Sequence, residues 1–493
     1  MPTLDWIGKD AVIRHHKEVP FRLLEPDAKL SHGDPDEGNL IVQGDNLHAL
    51  KALLPKYAGR VKCIYIDPPY NTGNEGWVYN DKVNAPEIRK WLGDTVGKEA
   101  EDLSRHDKWL CMMYPRLMLL REFLADDGML LVSHDDNENA SLRLVLDEVF
   151  GRNQHVATFI WNSTGHTDNQ LEVKVNHEYV ACFARRRKSF RVTNTIDPNT
   201  REDSNLWENR AENSITKNGP GNPASYVKLP EGFPCRGDDF SFAPSAFPED
   251  LIPWMESERP SSSTIKRKYP DDRIEFPLRM DAMVCSNGAL QEPCRVYSGW
   301  ANARKLNLYI ENGCEPLIED DGSELHFFLS GRGVIYYEKI KPSAHSVLSV
   351  LRNFGTTEKM RGELESMGIH FSYPKPVRLI QYLLKLATDK DSIILDSFAG
   401  SGTTGHAVLK QNAEDGGTRK FILVEMEPDI AGKITAERVK RVAKGYKDSK
   451  GNAVDGPSPS QASRVALVSA QPAAGAATPS VQVQPPSAMQ VSQ

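Results

Sequence analysis

The sequence predicts an α/β protein built on a doubly wound, mostly parallel sheet. Three observations predict it. Short β-branched and aliphatic runs bounded by Gly, Asp or Pro alternate with segments whose leucines recur at helical spacing. Two of those runs end in loops with chemical character, Asp67-Pro68-Pro69-Tyr70 and Asp396-Ser397-Phe398-Ala399-Gly400. The alternation holds over about residues 38–185, lapses, and resumes over about 370–445, as an insertion into one sheet requires.

Strands are expected at Leu40–Gln43, Val61–Ile66, Met129–Ser133, Ser392–Leu395 and Phe421–Val424. Helices are expected where Leu47, Leu50, Leu53 and Leu54, then Leu117, Leu120 and Leu124, then Leu142, Leu146 and Val149 share a face. Val377, Ile380, Leu383 and Leu384 predict another before the glycine-rich loop. The expected division is 1–37 as an extension, 38–185 as one half of the sheet, 186–365 as an insertion, 366–446 as the other half and 447–493 as a tail. The tail is Ala, Pro, Ser, Gln and Val with no charge after Arg464, which predicts disorder.

The composition is that of a soluble globular chain, 39% hydrophobic and 26% charged. No apolar run is long enough to span a membrane, and Met1–Trp6 shows no secretory leader. Seven scattered cysteines without a CxxC pair argue against a disulfide framework or a zinc finger, and for a reducing cytoplasm. No metal is expected. A net charge of -7 announces no nucleic-acid partner, so such a partner would need a local basic surface.

Gly400-Ser401-Gly402-Thr403-Thr404-Gly405 follows a strand and opens a helix, where glycines admit a ligand to the backbone and free amides await it. Glu425 ends the next strand, where a carboxylate can accept from two ribose hydroxyls. His406-Ala407 replaces the Lys-Ser/Thr of a phosphate loop, excluding that reading. A nicotinamide or flavin domain needs a second mononucleotide half, and only 88 residues follow Gly405. S-adenosylmethionine needs one such loop and one acidic strand end. A tight turn that binds nothing is the plainer alternative.

Asp67-Pro68-Pro69-Tyr70 is sharper. Two prolines stiffen the loop and remove two amide donors, leaving carbonyl and carboxylate acceptors beside an aromatic face. That suits a planar amine. An exocyclic amine is a poor nucleophile because its lone pair is delocalised into the ring. N–H bonds to the Asp67 carboxylate and the Pro68 carbonyl favour a pyramidal nitrogen and relieve its developing positive charge. The plainer alternative is a proline turn capping a strand.

These residues resemble the β-class DNA adenine-N6 methyltransferases. Asp67-Pro68-Pro69-Tyr70 matches the family's catalytic motif, and Asp396-Ser397-Phe398-Ala399-Gly400-Ser401-Gly402 its cofactor motif, in the β-class order. Leu40-Ile41-Val42-Gln43-Gly44-Asp45-Asn46-Leu47 and Phe371-Ser372-Tyr373-Pro374-Lys375-Pro376 match flanking segments. Asn71-Thr72-Gly73, with Trp77 and Tyr79, looks most like the modification subunit of type III restriction–modification systems.

The resemblance implies a Rossmann-like methyltransferase sheet, circularly permuted, with an inserted target-recognition domain. It implies S-adenosyl-L-methionine as cofactor and methyl transfer to the N6 amine of adenine in double-stranded DNA after base flipping. The implied catalytic residues are Asp67, Pro68, Pro69 and Tyr70; the implied cofactor residues are Asp396, Phe398, Gly400, Gly402, Thr403, Glu425, Asp45 and Lys375. His134 is either a polar strand-end residue or a substrate contact. The basic runs Arg185–Lys188 and Lys266–Lys268, with nearby aromatics, make the insertion the expected place of sequence recognition. A restriction subunit with helicase and nuclease activity, a homodimer, and a prokaryotic or phage origin are further implications. Cytosine-N4 methylation, and a DNA-binding specificity subunit acting with a nuclease, are the alternatives.

Overall fold

Val61–Ile66 and Ile393–Asp396, from opposite ends of the chain, run parallel and adjacent in the computed structural model, with Ile394 opposite Cys63 and Leu395 opposite Ile64. The structure describes residues 3–27, 38–72, 93–94, 104–163, 175–193, 195–342, 347–448, 450–454 and 465–471. The chain divides into two compact units, Met1–Thr193 with Leu348–Gln493, and Asn194–Val347. The insertion is thus narrower than the 186–365 expected from sequence.

Among the described residues the first unit carries a ten-stranded sheet. Its strands are β1 (Leu23–Pro26), β2 (Asn39–Gln43), β3 (Val61–Ile66), β4 (Leu124–His134), β5 (His155–Asn162), β6 (His177–Ala184), β7 (Val350–Leu351), β8 (Ile393–Asp396), β9 (Lys420–Glu425) and β10 (Val465–Gln471). Their order across the sheet is β1-β10-β2-β9-β8-β3-β4-β6-β5-β7. The run from β10 to β4 is parallel, whereas β6 is antiparallel to both its neighbours. The central strands are sealed on both faces. In β3 every residue but Lys62, and in β9 every residue but Lys420, is buried, which is why these strands read as near-continuous apolar runs.

Helices α1 (Asn46–Tyr57), α2 (Arg105–Phe123), α3 (Asn139–Leu146), α4 (Val377–Ala387) and α5 (Thr403–Asp415) cover the predicted apolar spacings except at two ends: Leu124 opens β4 instead, and Val149 lies in a π-helical turn, Asp147–Gly151. Asp45 caps α1 through the Leu47 and His48 amides, and Ser104 and Asp107 form a capping box on α2. From β3 the chain crosses to β4 on one side; from β8 it crosses through α5 to β9 on the other. The boundary between β3 and β8 is therefore a topological switch point, and a crevice opens beyond the carboxyl ends of the two strands. The N-terminal residues are more than an extension: Trp6, Val12 and Val19 are buried in the core with Leu50, Leu117 and Leu120.

The second unit has small, mostly antiparallel sheets. Glu324–Ser330 pairs with Ile335–Ile340, and Cys294–Gly299 pairs with Ala224–Leu229. Phe233, Val296, Tyr309 and Phe327 lie in its core.

Three further sequence expectations are corrected. Cys235 and Cys285 form a disulfide despite their 50-residue separation. Spacing gave no sign of it, because the pair is assembled by strand neighbours: Pro234 bridges Ala289, and Cys285 stands opposite Leu290. The tail is not wholly without structure. Its segment Val465–Gln471 pairs in parallel with β2 and antiparallel with β1, giving main-chain partners to a strand that would otherwise be an edge. The basic run Arg185–Lys188 belongs to the first unit, where Arg186 pairs with Asp126 at 3.0 Å. The Gly73, Trp77 and Tyr79 positions lie outside the described residues.

Candidate active site

Two loops leave the carboxyl ends of β3 and β8. The first, Asp67–Tyr70, is held from three sides. Trp109 Nε1 of α2 donates to the Pro69 carbonyl at 2.7 Å. The Tyr70 hydroxyl donates to Glu178 Oε2 of β6 at 2.8 Å. Asn71 follows in the left-handed region (φ 59°), where its side chain donates to the buried Glu138 carboxylate and to the Arg105 carbonyl. Asn tolerates that backbone better than a branched residue. Glu138 also meets His106 Nδ1 at 2.7 Å. The Pro68 carbonyl is not the one engaged by Trp109.

The second loop is held by its own side chains. Asp396 Oδ1 accepts from the Phe398 amide at 2.9 Å and Oδ2 from the Thr404 hydroxyl at 2.5 Å. Glu425 Oε2 accepts from the Gly400 amide at 2.9 Å, and its Oε1 from the Glu427 amide at 3.0 Å. Gly402, at φ +78°, starts α5 with no side chain capping it. A Cβ there would meet Thr435 Cγ2 at 3.1 Å, so the position admits little besides glycine. Thr435 donates to the Gly400 carbonyl at 2.6 Å, and the buried Arg438 reaches Ser401 Oγ at 2.8 Å and Thr403 Oγ1 at 2.9 Å.

Between the loops lies a small, partly open cleft. Asp67, Phe371, Lys375, Asp396, Phe398 and Thr403 are among its lining residues, with Gly400 on its wall. Pro68, Pro69, Tyr70, Gly402, Glu425 and Asp45 stand outside that lining. Asp45 is joined to it indirectly: Arg116 Nη2 pairs with Asp45 at 3.0 Å, and Asn46 Nδ2 donates to the Ser397 carbonyl at 3.2 Å. His134 is buried and partnered by the Val132 carbonyl and Asn139, each at 3.1 Å, as a polar strand-end residue is.

Lys375 is no surface cation. Its side chain is 6% exposed, and Nζ stands 3.1 Å from Asp67 Oδ1 and 3.2 Å from Glu178 Oε2. Burial raises the Asp67 carboxyl above its ordinary range; the Lys375 ammonium offsets part of that and Glu178 adds to it. Burial pulls the Lys375 ammonium down, but the two carboxylates outweigh it and hold it above its usual value. Asp396 is pushed up to about 7, first by burial, against the bonds from Thr404 and Phe398.

Sequence reading missed Glu178, Trp109, Asn46, Arg116, Thr435 and Arg438. Glu178 arrives because β6 is antiparallel, which puts its first residues at the carboxyl end of β4 (Tyr179 stands opposite His134). No local pattern signals that.

The residues fit the group that the resemblance implies. Ser397 Oγ is buried in the loop after β8 with no hydrogen-bond partner. Aromatic walls from Phe371 and Phe398 and carboxylates at Asp67 and Asp396 suit a cationic sulfonium carrying a nucleoside.

A sequence family described as DNA methylase matches residues 61–436. The chain is 30% identical over 453 residues to the Mod subunit of the type III restriction-modification enzyme StyLTI of Salmonella typhimurium, covering 88% of this chain and 60% of that protein. It is 30% identical over 458 residues to the EcoPI Mod subunit of Escherichia phage P1, covering 87% and 64%. It is 26% identical over 488 residues to the EcoP15I Mod subunit of Escherichia coli, covering 90% and 70%. The chain thus spans under two thirds of the length of the first two relatives.

Proposed function

The chain belongs to the DNA methylase family, and from that premise we propose that it is a site-specific DNA methyltransferase acting on the N6 amine of adenine. One observation carries the reading: Asp67 and the Gly400 turn face one cleft at the ends of neighbouring strands.

Asp396, Phe398, Gly400, Gly402, Thr403 and Glu425 would shape the cofactor's seat, with Asp45 bracing it through Asn46. S-adenosyl-L-methionine, when bound, supplies an electrophilic methyl on a sulfonium sulfur. The rest is done by this chain. Asp67 and the Pro68 carbonyl accept the two N–H bonds of the flipped amine and hold its lone pair toward the methyl carbon. Asp67 would take the proton that the nitrogen sheds once it is methylated. Burial above the ordinary carboxylate range makes Asp67 a competent acceptor. The Tyr70 ring offers a stacking surface that offsets part of the few kcal/mol that flipping costs. Pro69, pinned by Trp109, keeps the loop rigid.

Double-stranded DNA is the partner proposed to present that amine. The Asn194–Val347 unit, with Lys266–Lys268 on one helix, is the candidate for reading it. Three relatives are Mod subunits of type III restriction-modification enzymes of bacteria or a phage; a restriction-subunit partner is proposed on that ground, and a homodimer and a place in the prokaryotic cytoplasm on the resemblance of the motifs alone. No helix among the described residues is long and apolar enough to cross a membrane.

Long-read sequencing and nucleoside mass spectrometry of DNA from cells expressing the chain test the reading. The expected result is N6-methyladenine in one short motif, erased by Asp67→Ala. N4-methylcytosine instead would move the assignment to the other amine. DNA binding without any transferred methyl would favour a specificity subunit.

A further inference from the structure

Asp67 already has a nitrogen donor beside it. Lys375 Nζ is 3.1 Å from Asp67 Oδ1, 3.2 Å from Glu178 Oε2 and 4.7 Å from the centroid of the Tyr70 ring. It thereby sits on both elements that an aromatic amine needs, the carboxylate and the ring. We propose that Lys375 is a place-holder for the target amine, and that Glu178 is the positioning residue that keeps its ammonium when the amine takes Asp67. This rests on the methyl-transfer reading above.

The physical case is one of charge. Lys375 is too deeply buried to surrender a carboxylate partner without another. Glu178 is already within reach of the same nitrogen, so the ammonium changes partner by a small rotation rather than by leaving the site. With the amine seated, Lys375 and Glu178 close as a pair, and Asp67 is left to the substrate. Glu178 also accepts from the Tyr70 hydroxyl, so the stacking ring is tied to the same carboxylate. Without the Glu178 charge, Lys375 has Asp67 alone, and it competes with the substrate for it.

The acid limb of activity reports Asp67. Around it stand Lys375, Glu178, Tyr70 and Tyr65, with Asp396 across the cleft. Glu178 raises its pKa, so removing that charge moves the limb to lower pH; Lys375 lowers it, so removing the ammonium moves the limb to higher pH.

The test uses the full chain, labelled S-adenosylmethionine and unmethylated plasmid DNA. Glu178→Gln should lose roughly tenfold to a hundredfold in kcat, the worth of one charged hydrogen bond, with a cooperative melt retained and cofactor affinity unchanged. Its acid limb should fall, that of Lys375→Met should rise, and the double variant should be more active than Glu178→Gln alone. A double variant no better than the product of the two singles, or a Glu178→Gln limb that stays put, overturns the place-holder. If Glu178→Gln does not melt cooperatively, an unmoved limb in Lys375→Met overturns it. Wild-type chain that transfers no methyl sinks the methyl-transfer reading and this inference together; active wild type with an unaffected Glu178→Gln sinks this inference alone.

Discussion

Asn46 donates to the carbonyl of Ser397 at 3.2 Å across 351 positions of sequence. That bond, from the start of α1 to the loop after β8, ties the two halves of the sheet together at the cleft. Arg116 holds Asn46 from behind and bridges to Asp45. Asn46→Ala leaves the buried Arg116 short of an acceptor. It should cost about 1–3 kcal/mol, read as a lower thermal midpoint, and weaken cofactor binding in titration calorimetry.

Asp67 supplies the charged acceptor. Its pKa is raised by burial, so kcat/KM should fall on the acid side at a pH above the ordinary carboxylate range. Asp67→Asn preserves shape but not charge. It should reduce kcat by roughly a hundredfold or more and abolish that limb, with DNA affinity little changed in a binding assay.

Asp396 is pushed up to about 7. Its folded pKa exceeds its unfolded value, so the native state binds more protons across that interval and loses stability as pH rises through it. Asp396→Asn lacks this dependence. The melting temperature of wild type minus that of Asp396→Asn should therefore fall from pH 5 to pH 8. A signed difference that rises contradicts the assignment.

Gly402 combines φ +78° with a Thr435 methyl 3.1 Å from where a Cβ would lie. Gly402→Ala should cost about 1–3 kcal/mol in backbone strain. The loss should appear both in thermal melts and as a raised cofactor Kd, because the same turn starts α5.

Much of this architecture was legible along the chain. Val61–Ile66, Lys62 apart, and Phe421–Val424 are apolar because both faces are covered, and that burial writes itself into consecutive residues. The two loops were legible for a similar reason, since proline stiffness and glycine φ are properties of neighbouring residues. The Cys235–Cys285 bond and the strand at Val465–Gln471 were not, because each depends on which distant strand lies alongside.

By itself the sequence determined the alternation of strands and helices, the stiff acceptor loop and the glycine turn, for these follow from local sterics and hydrophobic period. Only the tertiary structure decided that Lys375 lies against Asp67 and that antiparallel β6 delivers Glu178 to both Lys375 and Tyr70. The order of strands in a sheet is settled by how whole faces pack, and a charge finds its partner only once that order exists.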